Sequence, residues 1–536
     1  MRATSNWNFY PLPSVVTTPV FVDRLARCLA EFPDSEVSNF ILNGFTQGFD
    51  IGFRGVFKNN NTRPRNNLSA RRHPGPVGEA VRKEIERGHT AGPFRDPPFP
   101  ATHCSPIGSA PKPDGSVRLV LDLSQPRGDS VNEHISREEC SCRYSSFDDA
   151  VELIRRLGPG AYMGKVDIKH AFRLCPEWPE QWPLLCYRWD GYFFVDTRLP
   201  FGSRSSPAIF NLFADILAWI FMNIGLVAWI IHYLDDYFIA GRDRSSCERD
   251  MWMVRAICKF LGVPLAPEKI EGPAQVLVFL GIEIDTVAGV ARLPAEKLEK
   301  AKRLIREWGV RKKAKKCQLL ELIGYLSYAS KVVKPGRTFV RRLIDLSTTV
   351  SSLEHYVTVN EEARADISWW SEFLPDWNGV EFLQEHPVES PDLGLFSDAS
   401  DLGFGCVYGK RWICGDWREP WHSHPIFVRE FFAIWAAVIT WGHEWSGKQI
   451  VIHTDSASAR DIWDKGTLPD KTVMRVVRAM FLFAARRNIN IILKHVPGKS
   501  NDLADSLSRF QVHKFRLRHP EANNHPDVVP EEVWNV

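Results

Sequence analysis

The sequence lacks the features that mark secreted, zinc-binding and membrane-spanning proteins. Its eleven cysteines are odd in number and scattered along 536 residues, which argues for a reducing compartment and against a disulfide framework. Cys140 and Cys142 have no second cysteine pair at zinc spacing, so we interpret them as non-metal residues. Residues 6–10 carry no apolar core after a basic start, which argues against a signal peptide. We therefore expect an intracellular protein, in the cytoplasm or the nucleus.

No apolar run is long enough to cross a bilayer comfortably. The longest, residues 216–231, is interrupted by Asn223 and Gly225. It is typical of a buried helix, a turn and a strand, so we predict no membrane span. The net charge of +3 is too small to indicate a polyanionic partner by itself. Five cations do cluster in residues 311–316, which is typical of a solvated helix face, a nuclear-import signal or a phosphate-binding surface.

The composition is that of a globular protein with several domains. Hydrophobic residues make up 44% and charged residues 24% of the chain. A length of 536 residues suggests about three to four domains. Strands and helices alternate over residues 105–285, a helical pattern follows over 294–346, and a second α/β unit covers 393–510. These patterns predict a mixed α/β (α+β), multidomain protein.

Two adjacent carboxylates, Asp235 and Asp236, lie between the apolar, β-prone residues 228–232 and 237–240. Neighbouring side chains of a regular strand point to opposite faces. A hairpin turn at the pair lets both carboxylates approach one point, where they repel each other unless a divalent cation such as Mg²⁺ binds. By itself the pair is typical of a solvated hairpin tip. Asp167, at the end of the strand-like residues 161–166, changes this interpretation, because a two-metal polymerase needs carboxylates from two strands.

Several segments resemble, in the same order, the motifs of retroelement reverse transcriptases. They are residues 111–122 with Lys112 and Arg118, residues 167–172, residues 199–210 with Phe201, Tyr233-Leu234-Asp235-Asp236, residues 267–269, and Phe279-Leu280-Gly281. The resemblance covers residues 100–345 and implies a right-hand fold with fingers, palm and thumb. It also implies a DNA polymerase that binds an RNA template, a DNA primer and dNTPs. Its cofactor would be Mg²⁺, two ions per active site, with Mn²⁺ as the alternative.

The resemblance implies a role for each matching residue. Lys112 and Arg118 would be cations on the incoming triphosphate, where charge develops during phosphoryl transfer; without the motif they would be ordinary surface residues. The metal ligands would be Asp167, Asp235, the Ile168 carbonyl and, more weakly, Asp236. The other nucleotide-binding residues would be Ile168, His170, Ala171, Phe172, Phe201 and Lys269, and the primer grip would be Phe279, Leu280 and Gly281.

Alternatives stay open at three of these positions. Phe172 matches the position where a bulky ring blocks the ribose 2′-OH, or it is a core phenylalanine. Phe201 departs from the Gln that retroviral enzymes commonly carry, which puts a hydrogen bond at that position in doubt. Lys269 either protonates the leaving pyrophosphate or has no such role, because the alignment is loose by one residue. The basic region 297–316 falls where the family's thumb contacts the duplex backbone.

A second set of carboxylates follows nearer the C-terminus. Asp398 lies in a strand-like segment, Glu430 early in an apolar helix, Asp455 after a strand, and Asp505 downstream of His495. Four carboxylates on separate elements can bind two Mg²⁺ ions and activate a water molecule. Singly, such residues are more typical of caps and surfaces. Their order resembles the RNase H family, which implies cleavage of RNA in an RNA–DNA hybrid, with His495 as a mobile residue that helps turnover.

We predict six segments in the chain. They are an N-terminal extension (1–65), fingers and palm (66–290), a thumb (291–346), a connection (347–390), an RNase H-like α/β domain (391–512) and a C-terminal tail (513–536).

The lineage is indicated by residues 43–53, residues 397–400 and the pair Trp369-Trp370, which resemble DIRS-type retrotransposons. Gypsy-like and hepadnavirus-like polymerases are the other candidates. Residues 513–516 match the His-x-x-Arg of a tyrosine recombinase only superficially, because no tyrosine follows Tyr408. We therefore expect the reverse transcriptase–RNase H portion of a larger element.

Two other classes of function compete with an active polymerase. One is a non-catalytic or domesticated nucleic-acid-binding scaffold, which binds hybrids without turnover. The other is a structure-specific nuclease alone, which leaves Lys112, Arg118 and Phe172 without a purpose. The sequence does not define the oligomeric state.

Overall fold

The structure is a computed structural model that describes residues 7–56, 64–112, 114–374, 380–381, 394–446, 448–466, 468, 470–487 and 489–536. The chain divides into two units. The first is Met1–Leu280 with Ile284–Ala288, and the second is Gly281–Glu283 with Gly289–Val536. Each unit combines helices with β-sheets, so the mixed α/β architecture predicted from the sequence is confirmed.

In the first unit the helices are α1 (Val22–Cys28), α2 (Ser35–Gln47), α3 (Leu68–Arg72), α4 (Pro74–Glu86), α5 (Phe147–Leu157), α6 (Ser206–Asn223) and α7 (Arg244–Leu261). Its strands are β1 (Thr90–Phe94), β2 (Cys104–Ser105), β3 (Ile107–Pro111), β4 (Val117–Leu121), β5 (Tyr162–Asp167), β6 (Cys186–Trp189), β7 (Tyr192–Asp196), β8 (Ile230–Tyr233), β9 (Asp236–Gly241), β10 (Glu271–Ala274) and β11 (Val276–Phe279). Strand β12 (Ile282–Asp285) contains residues of both units.

The sheet that matters most for function has the strand order β10-β5-β9-β8. Strands β5 and β9 are antiparallel and place Asp167 opposite Asp236. Strands β8 and β9 form a hairpin whose two-residue turn is Leu234-Asp235. Leu234 has a φ of 53°, the left-handed conformation that short hairpin turns require. The turn predicted at the aspartate pair is confirmed, and it separates Asp235, in the turn, from Asp236, at the start of β9.

Residues 216–231 form the helix, turn and strand that their sequence predicts, as the end of α6 and the start of β8. Two segments, Ser206–Asn223 and Ile426–Trp445, are long and apolar enough to cross a membrane by length and composition alone. Of the apolar window in each, 61% and 72% respectively is buried inside the protein. That burial is typical of core helices.

Part of the predicted N-terminal extension packs into the hydrophobic core of the first unit. Ile41 and Phe45 on α2, and Phe49 after it, are at most 2% exposed. The Phe49 N–H donates to the Pro176 carbonyl (2.8 Å), and the Phe49 carbonyl accepts from the Trp178 N–H (3.1 Å). A Cβ atom on Gly44 would lie 2.1 Å from the Phe49 ring, so only glycine allows this ring to lie against α2.

We expect Phe49→Ala to destabilise the first unit by about 3–5 kcal/mol, because it leaves a ring-sized cavity in a fully buried site. Chemical denaturation, followed by tryptophan fluorescence, measures the change. Phe9→Ala is the control, since the Phe9 side chain is 62% exposed. Equal stability losses in the two variants would contradict a core role for Phe49.

In the second unit the helices are α8 (Ala295–Val310), α9 (Lys316–Ala329), α10 (Arg341–Thr348), α11 (Glu361–Phe373), α12 (Ile426–Trp441), α13 (Ala457–Lys465), α14 (Lys471–Arg486), α15 (Asp502–Ser508) and α16 (Val512–Arg518). Its strands are β13 (Val290–Arg292), β14 (Lys313–Lys315), β15 (Tyr356–Thr358), β16 (Val380–Glu381), β17 (Leu395–Ala399), β18 (Gly403–Tyr408), β19 (Arg411–Asp416), β20 (Gln449–Thr454) and β21 (Asn490–His495).

A five-stranded sheet in this unit has the order β19-β18-β17-β20-β21. Strands β17, β20 and β21 are mutually parallel, whereas β18 and β19 complete the sheet as antiparallel hairpins. Helix α12 is buried along nearly its whole length against this sheet and its neighbours. The segment expected as a tail also contributes to the core: Val533 is fully buried, and its carbonyl accepts a hydrogen bond from the Trp435 indole (3.1 Å).

The basic residues 311–316 do not form a helix face. Helix α8 ends at Val310, and Lys313–Lys315 form β14, which pairs with β15. Ala314 is 1% exposed, so the strand buries its one apolar residue and leaves Lys313 exposed beside it. The strand thus interrupts the helical pattern that the sequence predicts over residues 294–346.

Candidate active sites

Two aspartates of the first unit line a cleft of about 610 Å³. Asp167 ends β5 and Asp235 lies in the β8–β9 turn, and the Ile168 N–H donates a hydrogen bond to the Asp235 carbonyl (2.9 Å). This bond ties the turn to the residue that follows Asp167. Asp236 begins β9 beside them but does not line the cleft.

Burial raises the pKa values of Asp167, Asp235 and Asp236 above their ordinary range, to about 7 for Asp236. Repulsion from Asp167 adds to the effect of burial on Asp235. One carboxylate oxygen of Asp236 is buried without a hydrogen-bond partner among the described residues. These three carboxylates repel each other, and one of their oxygens has no hydrogen-bond partner. Both features fit the binding of a hard divalent cation such as Mg²⁺.

Lys269, one of the predicted nucleotide-binding residues, lies directly against this group. Its ammonium nitrogen is 2.8 Å from Asp167 Oδ2, and the lysine side chain remains more than half exposed. The ion pair offsets part of the repulsion between the aspartates. Both residues line the cleft, so the Lys269 ammonium can also reach a ligand there.

The β3–β4 hairpin places two predicted cations on the same cleft. Lys112 and Arg118 both line it. The Arg118 guanidinium lies 4.6 Å from the centre of the Phe201 ring, a cation–π contact that orients the guanidinium without neutralising it. The cleft is therefore lined by exposed cations as well as by carboxylates, a combination that can hold a phosphate group together with a divalent cation.

The segment after Asp167 forms another part of the cleft. His170 and Ala171 line it with left-handed backbone conformations, at φ values of 69° and 34°. Burial lowers the pKa of His170 to about 4, and Arg87 adds to this effect, so its imidazole is neutral near pH 7. Phe172 is only 8% exposed and packs on Phe201, with ring centres 5.1 Å apart, while Phe201 itself lines the cleft. All four residues are predicted to bind the nucleotide. Three of them line the cleft, whereas Phe172 is separated from the cleft surface by the Phe201 ring.

A largely buried ionic network, whose members also line the cleft, has no counterpart among the predicted site residues. The Arg173 guanidinium donates to Glu84 (2.8 Å) and to both oxygens of Asp196 (2.9 and 3.1 Å). Although burial opposes it, the guanidinium holds the pKa of Glu84 below its ordinary range. The network anchors the short helix Ala171–Leu174 that carries Phe172. The one feature of the sequence that indicates this network is the charged Arg173 between the apolar residues Phe172 and Leu174.

The predicted primer-grip residues lie at the turn after β11. Phe279 is fully buried against Phe238, with ring centres 4.9 Å apart. Leu280 and Gly281 have φ values of 46° and 81°, so the chain reverses there. Within the second unit, the Gly281 carbonyl accepts a hydrogen bond from Lys297 (3.2 Å).

The second unit contains its own carboxylate cluster. Asp398 lies on β17, Asp455 follows β20, and Glu430 lies on α12, so the parallel pairing of β17 with β20 brings the first two together. One potential ligand atom from each of the three residues lies within 4.8 Å of the others. In the described part of the chain, no other trio of acidic, histidine or cysteine side chains is equally close.

The electrostatics of this cluster also fit a divalent cation. Burial raises the pKa of Asp398 to about 7, with repulsion from Asp455 as a further cause, although Ser508 donates a hydrogen bond to it. The pKa of Glu430 lies well above its ordinary value, because of burial and then of Asp398. Glu430 Oε2 is buried and has no hydrogen-bond partner among the described residues. Oxygen donors of this kind suit Mg²⁺ or Mn²⁺.

Two predicted residues lie apart from the trio. Asp505, on α15, forms an ion pair with Arg509 (2.7 Å) instead of joining the other three carboxylates. His495 ends β21 and is exposed.

Two contacts of the cluster come from residues that the sequence analysis passed over. Asn501 lies between Asp398 and Asp455, and Ser508 donates to Asp398. Both residues lie in the segment that carries Asp505, and this position is the feature of the sequence that could have identified them.

Asp167 at the end of a strand and Asp235 in the adjacent turn thus line one cleft together with cations of the β3–β4 hairpin, an arrangement that is typical of nucleic-acid polymerase domains. Residues 111–284 match the family model described as reverse transcriptase (RNA-dependent DNA polymerase). The chain therefore contains a reverse transcriptase domain of the kind found in retroelement and retroviral polyproteins.

Relatives of this kind share modest sequence identity with the chain. It is 27% identical over 184 residues to the Pro-Pol polyprotein of simian foamy virus type 1, covering 34% of this chain and 15% of that protein. It is 21% identical over 467 residues to the transposon Tf2-3 polyprotein of Schizosaccharomyces pombe, covering 83% of this chain and 32% of the polyprotein. The chain thus spans less than a third of these relatives.

A solved structure has a similar fold. It is described as the foamy viral protease-reverse transcriptase dRH in complex with ds DNA. The TM-score is 0.50 at 16% sequence identity, and the match covers 91% of this chain and 84% of that one.

Proposed function

We propose that the chain is an RNA- and DNA-directed DNA polymerase of a retroelement, with a linked RNase H that degrades RNA in RNA–DNA hybrids. The observation that carries the proposal is that each unit brings together its own group of buried or half-buried carboxylates, two of which come from neighbouring strands or the residues next to them. Its partners would be an RNA template, a DNA primer, dNTPs and the hybrid product. The segments at 66–290, 291–346, 347–390 and 391–512 would be fingers and palm, thumb, connection and RNase H-like domain.

In the polymerase site, Asp167 and Asp235 would hold the metal ions, with Asp236 as a weaker ligand. Two Mg²⁺ ions, when bound, supply a clamp for the attacking and leaving oxygens. Lys112 and Arg118 would bind the triphosphate and stabilise the charge that develops on it. Lys269 lies close enough to Asp167 to deliver a proton toward a leaving group in the cleft.

In the hydrolytic site, Asp398, Glu430 and Asp455 would hold the metal ions that activate a water molecule. Asp505 would join them after leaving its ion pair with Arg509, which is half exposed and therefore costs little to break. His495, exposed at the end of β21, would be the mobile residue that helps turnover. Copying RNA into DNA leaves an RNA–DNA hybrid, so a linked nuclease acts on the product of the polymerase.

A DIRS-type lineage is the finer part of this proposal. It rests on the resemblance of residues 43–53, residues 397–400 and Trp369-Trp370 to those elements.

One assay tests both activities. A DNA primer is annealed to an end-labelled RNA template and incubated with the protein, Mg²⁺ and dNTPs, and both strands are resolved on a gel. We expect extension of the primer and shortening of the template. A scaffold without catalytic activity would bind the hybrid and change neither strand.

We expect Phe172→Ala to lower the preference for deoxynucleotides over ribonucleotides by roughly tenfold or more, because removing the ring opens space near the sugar. Single-nucleotide incorporation, with kcat/KM measured for dNTP and rNTP, gives the ratio. Phe210→Ala is the matched control: Phe172 packs on the cleft-lining Phe201, whereas Phe210 is fully buried and contacts Phe172. Unchanged sugar selection in Phe172→Ala, with lowered stability in both variants, would assign Phe172 to the core instead.

A further inference from the structure

We propose that Asn501 and Ser508 are positioning residues, which hold Asp398 and Asp455 in the arrangement that binds a divalent cation. The inference rests on the proposed hydrolytic function of this cluster. The two side chains are uncharged, contact the carboxylates and would not themselves contact substrate.

Asn501 connects the two strands that carry the aspartates. Its side chain is 1% exposed, and its amide nitrogen lies 3.0 Å from the Ser397 carbonyl and 3.3 Å from one oxygen each of Asp398 and Asp455. An amide group has two hydrogens, so it can donate to Ser397 and to the carboxylates in turn. The side-chain oxygen of Asn501, Oδ1, is buried without a hydrogen-bond partner among the described residues. Burying an oxygen without a hydrogen-bond partner costs free energy. We therefore attribute the position of Asn501 to the hydrogen bonds that its amide nitrogen donates.

Ser508 contacts Asp398 from another direction. Its side chain is fully buried, and its hydroxyl lies 2.6 Å from Asp398 Oδ2, whereas Asn501 contacts Oδ1. A short hydrogen bond to a carboxylate is among the stronger ones in proteins. The Ser508 hydroxyl also lies 2.9 Å from the Asp505 carbonyl, and its single hydrogen favours the shorter, charge-assisted contact with Asp398. Each oxygen of Asp398 thus has a donor within reach and keeps a lone pair for a cation.

The approach of α15 to the sheet depends on a glycine. A Cβ atom on Gly405 of β18 would lie 2.5 Å from the Ser508 backbone nitrogen and 2.7 Å from the Ala504 carbonyl. Gly405 pairs with Asp398 across the strands β17 and β18. The absence of a side chain at Gly405 therefore allows α15 to lie close enough for the Ser508 hydroxyl to reach the carboxylate.

The physical need for positioning comes from repulsion. Asp398, Glu430 and Asp455 are drawn together by the fold but repel one another when ionised. Without neutral donors to fix them, the aspartates can rotate apart and lose the spacing that a cation needs. Partners of this kind typically change metal affinity by about 10- to 100-fold when they are removed.

The test measures metal binding directly in the full chain. Asp235→Asn serves as the background, so that the polymerase site contributes less to the signal, and Mn²⁺ is titrated by calorimetry and by electron paramagnetic resonance. We expect Asn501→Ala and Ser508→Ala each to weaken Mn²⁺ binding to the Asp398 cluster by roughly tenfold or more. Cleavage of labelled hybrid should lose activity at low Mg²⁺ and recover most of its kcat at high Mg²⁺, with KM for the hybrid unchanged.

A third variant separates shape from hydrogen bonding. Ser508→Cys keeps nearly the same volume but has only a weak donor. Positioning predicts that it behaves like Ser508→Ala, whereas simple packing predicts that it behaves like the parent. Asn490→Ala and Ser506→Ala are controls, because Asn490 bonds to Gln449 at the far end of β21 and Ser506 bonds within its own helix. Both controls should bind Mn²⁺ like the parent.

Mn²⁺ affinity within twofold of the parent in Asn501→Ala and Ser508→Ala would overturn the inference. Loss of a cooperative thermal transition in both would also overturn it, because the side chains would then serve the core. Failure of the proposed function looks different: the parent binds Mn²⁺ at the cluster and responds to these substitutions but cleaves no hybrid. If Asp398→Asn leaves Mn²⁺ binding unchanged, the cluster is not a metal site and the inference fails with it.

Discussion

Asp235→Asn is expected to lower primer extension on an RNA template by roughly 1000-fold while hybrid cleavage continues at the parent's rate. The substitution keeps the shape of the side chain and removes one negative charge from the group that Asp167 and Asp235 present to the cleft. Metal-assisted stabilisation of the transition state is worth several kcal/mol, and each 1.36 kcal/mol changes a rate tenfold. Extension of a labelled primer under single-turnover conditions measures the loss.

The matched control for this variant is Asp190→Asn. Asp190 lies in the turn of the β6–β7 hairpin, as Asp235 lies in the turn of β8–β9, but it does not line the cleft. Its replacement should leave extension unchanged. Extension by Asp235→Asn at the parent's rate would remove the proposed polymerase site.

Asp398→Asn is expected to affect the two activities in the opposite way to Asp235→Asn. Hybrid cleavage should fall by roughly 1000-fold, because the residue is one of the three carboxylates proposed to bind the metal ions, whereas primer extension should continue. Following the labelled RNA strand and the growing DNA strand in one reaction measures both rates. Removing divalent cations with EDTA should stop both activities in the parent.

Asp464→Asn, at an exposed position on α13, is the control for charge removal in the same unit. It should cleave the hybrid like the parent. If Asp398→Asn cleaves the hybrid at the parent's rate, the cluster is not the hydrolytic centre. If it lowers both activities together, the second unit instead supports the polymerase by folding or binding.

Local pattern was enough to predict the elements that carry the first site. An aspartate pair between two β-prone runs predicted a hairpin, and the structure has β8, a two-residue turn and β9 at that place. Alternation of strands and helices likewise predicted the mixed α/β class. The pattern could not predict that Asp235 lines the cleft and Asp236 does not. That difference depends on which of the two residues lies in the turn.

Contacts between distant segments could not be predicted in the same way. Asn501 and Ser508 reach Asp398 only because α15 packs closely on β18 at Gly405. The orientation of Asp505 depends on Arg509, four residues on, which competes for its carboxylate. The basic residues 313–315 form a strand because Tyr356–Thr358 is available to pair with them. Periodicity describes one segment at a time and contains no information about such partners.

The packing of the N-terminal segment has a consequence for how the protein is made. Asp50 contacts Gln181, 131 residues further along the chain. At about 5–20 residues per second, a ribosome needs roughly 7–26 s to synthesise the intervening stretch. During that time the rings of Phe45 and Phe49 have no partner from that later stretch, so the nascent chain offers an apolar segment to chaperones. Slower translation before residue 181 should therefore increase aggregation, and chaperone overexpression should counter it.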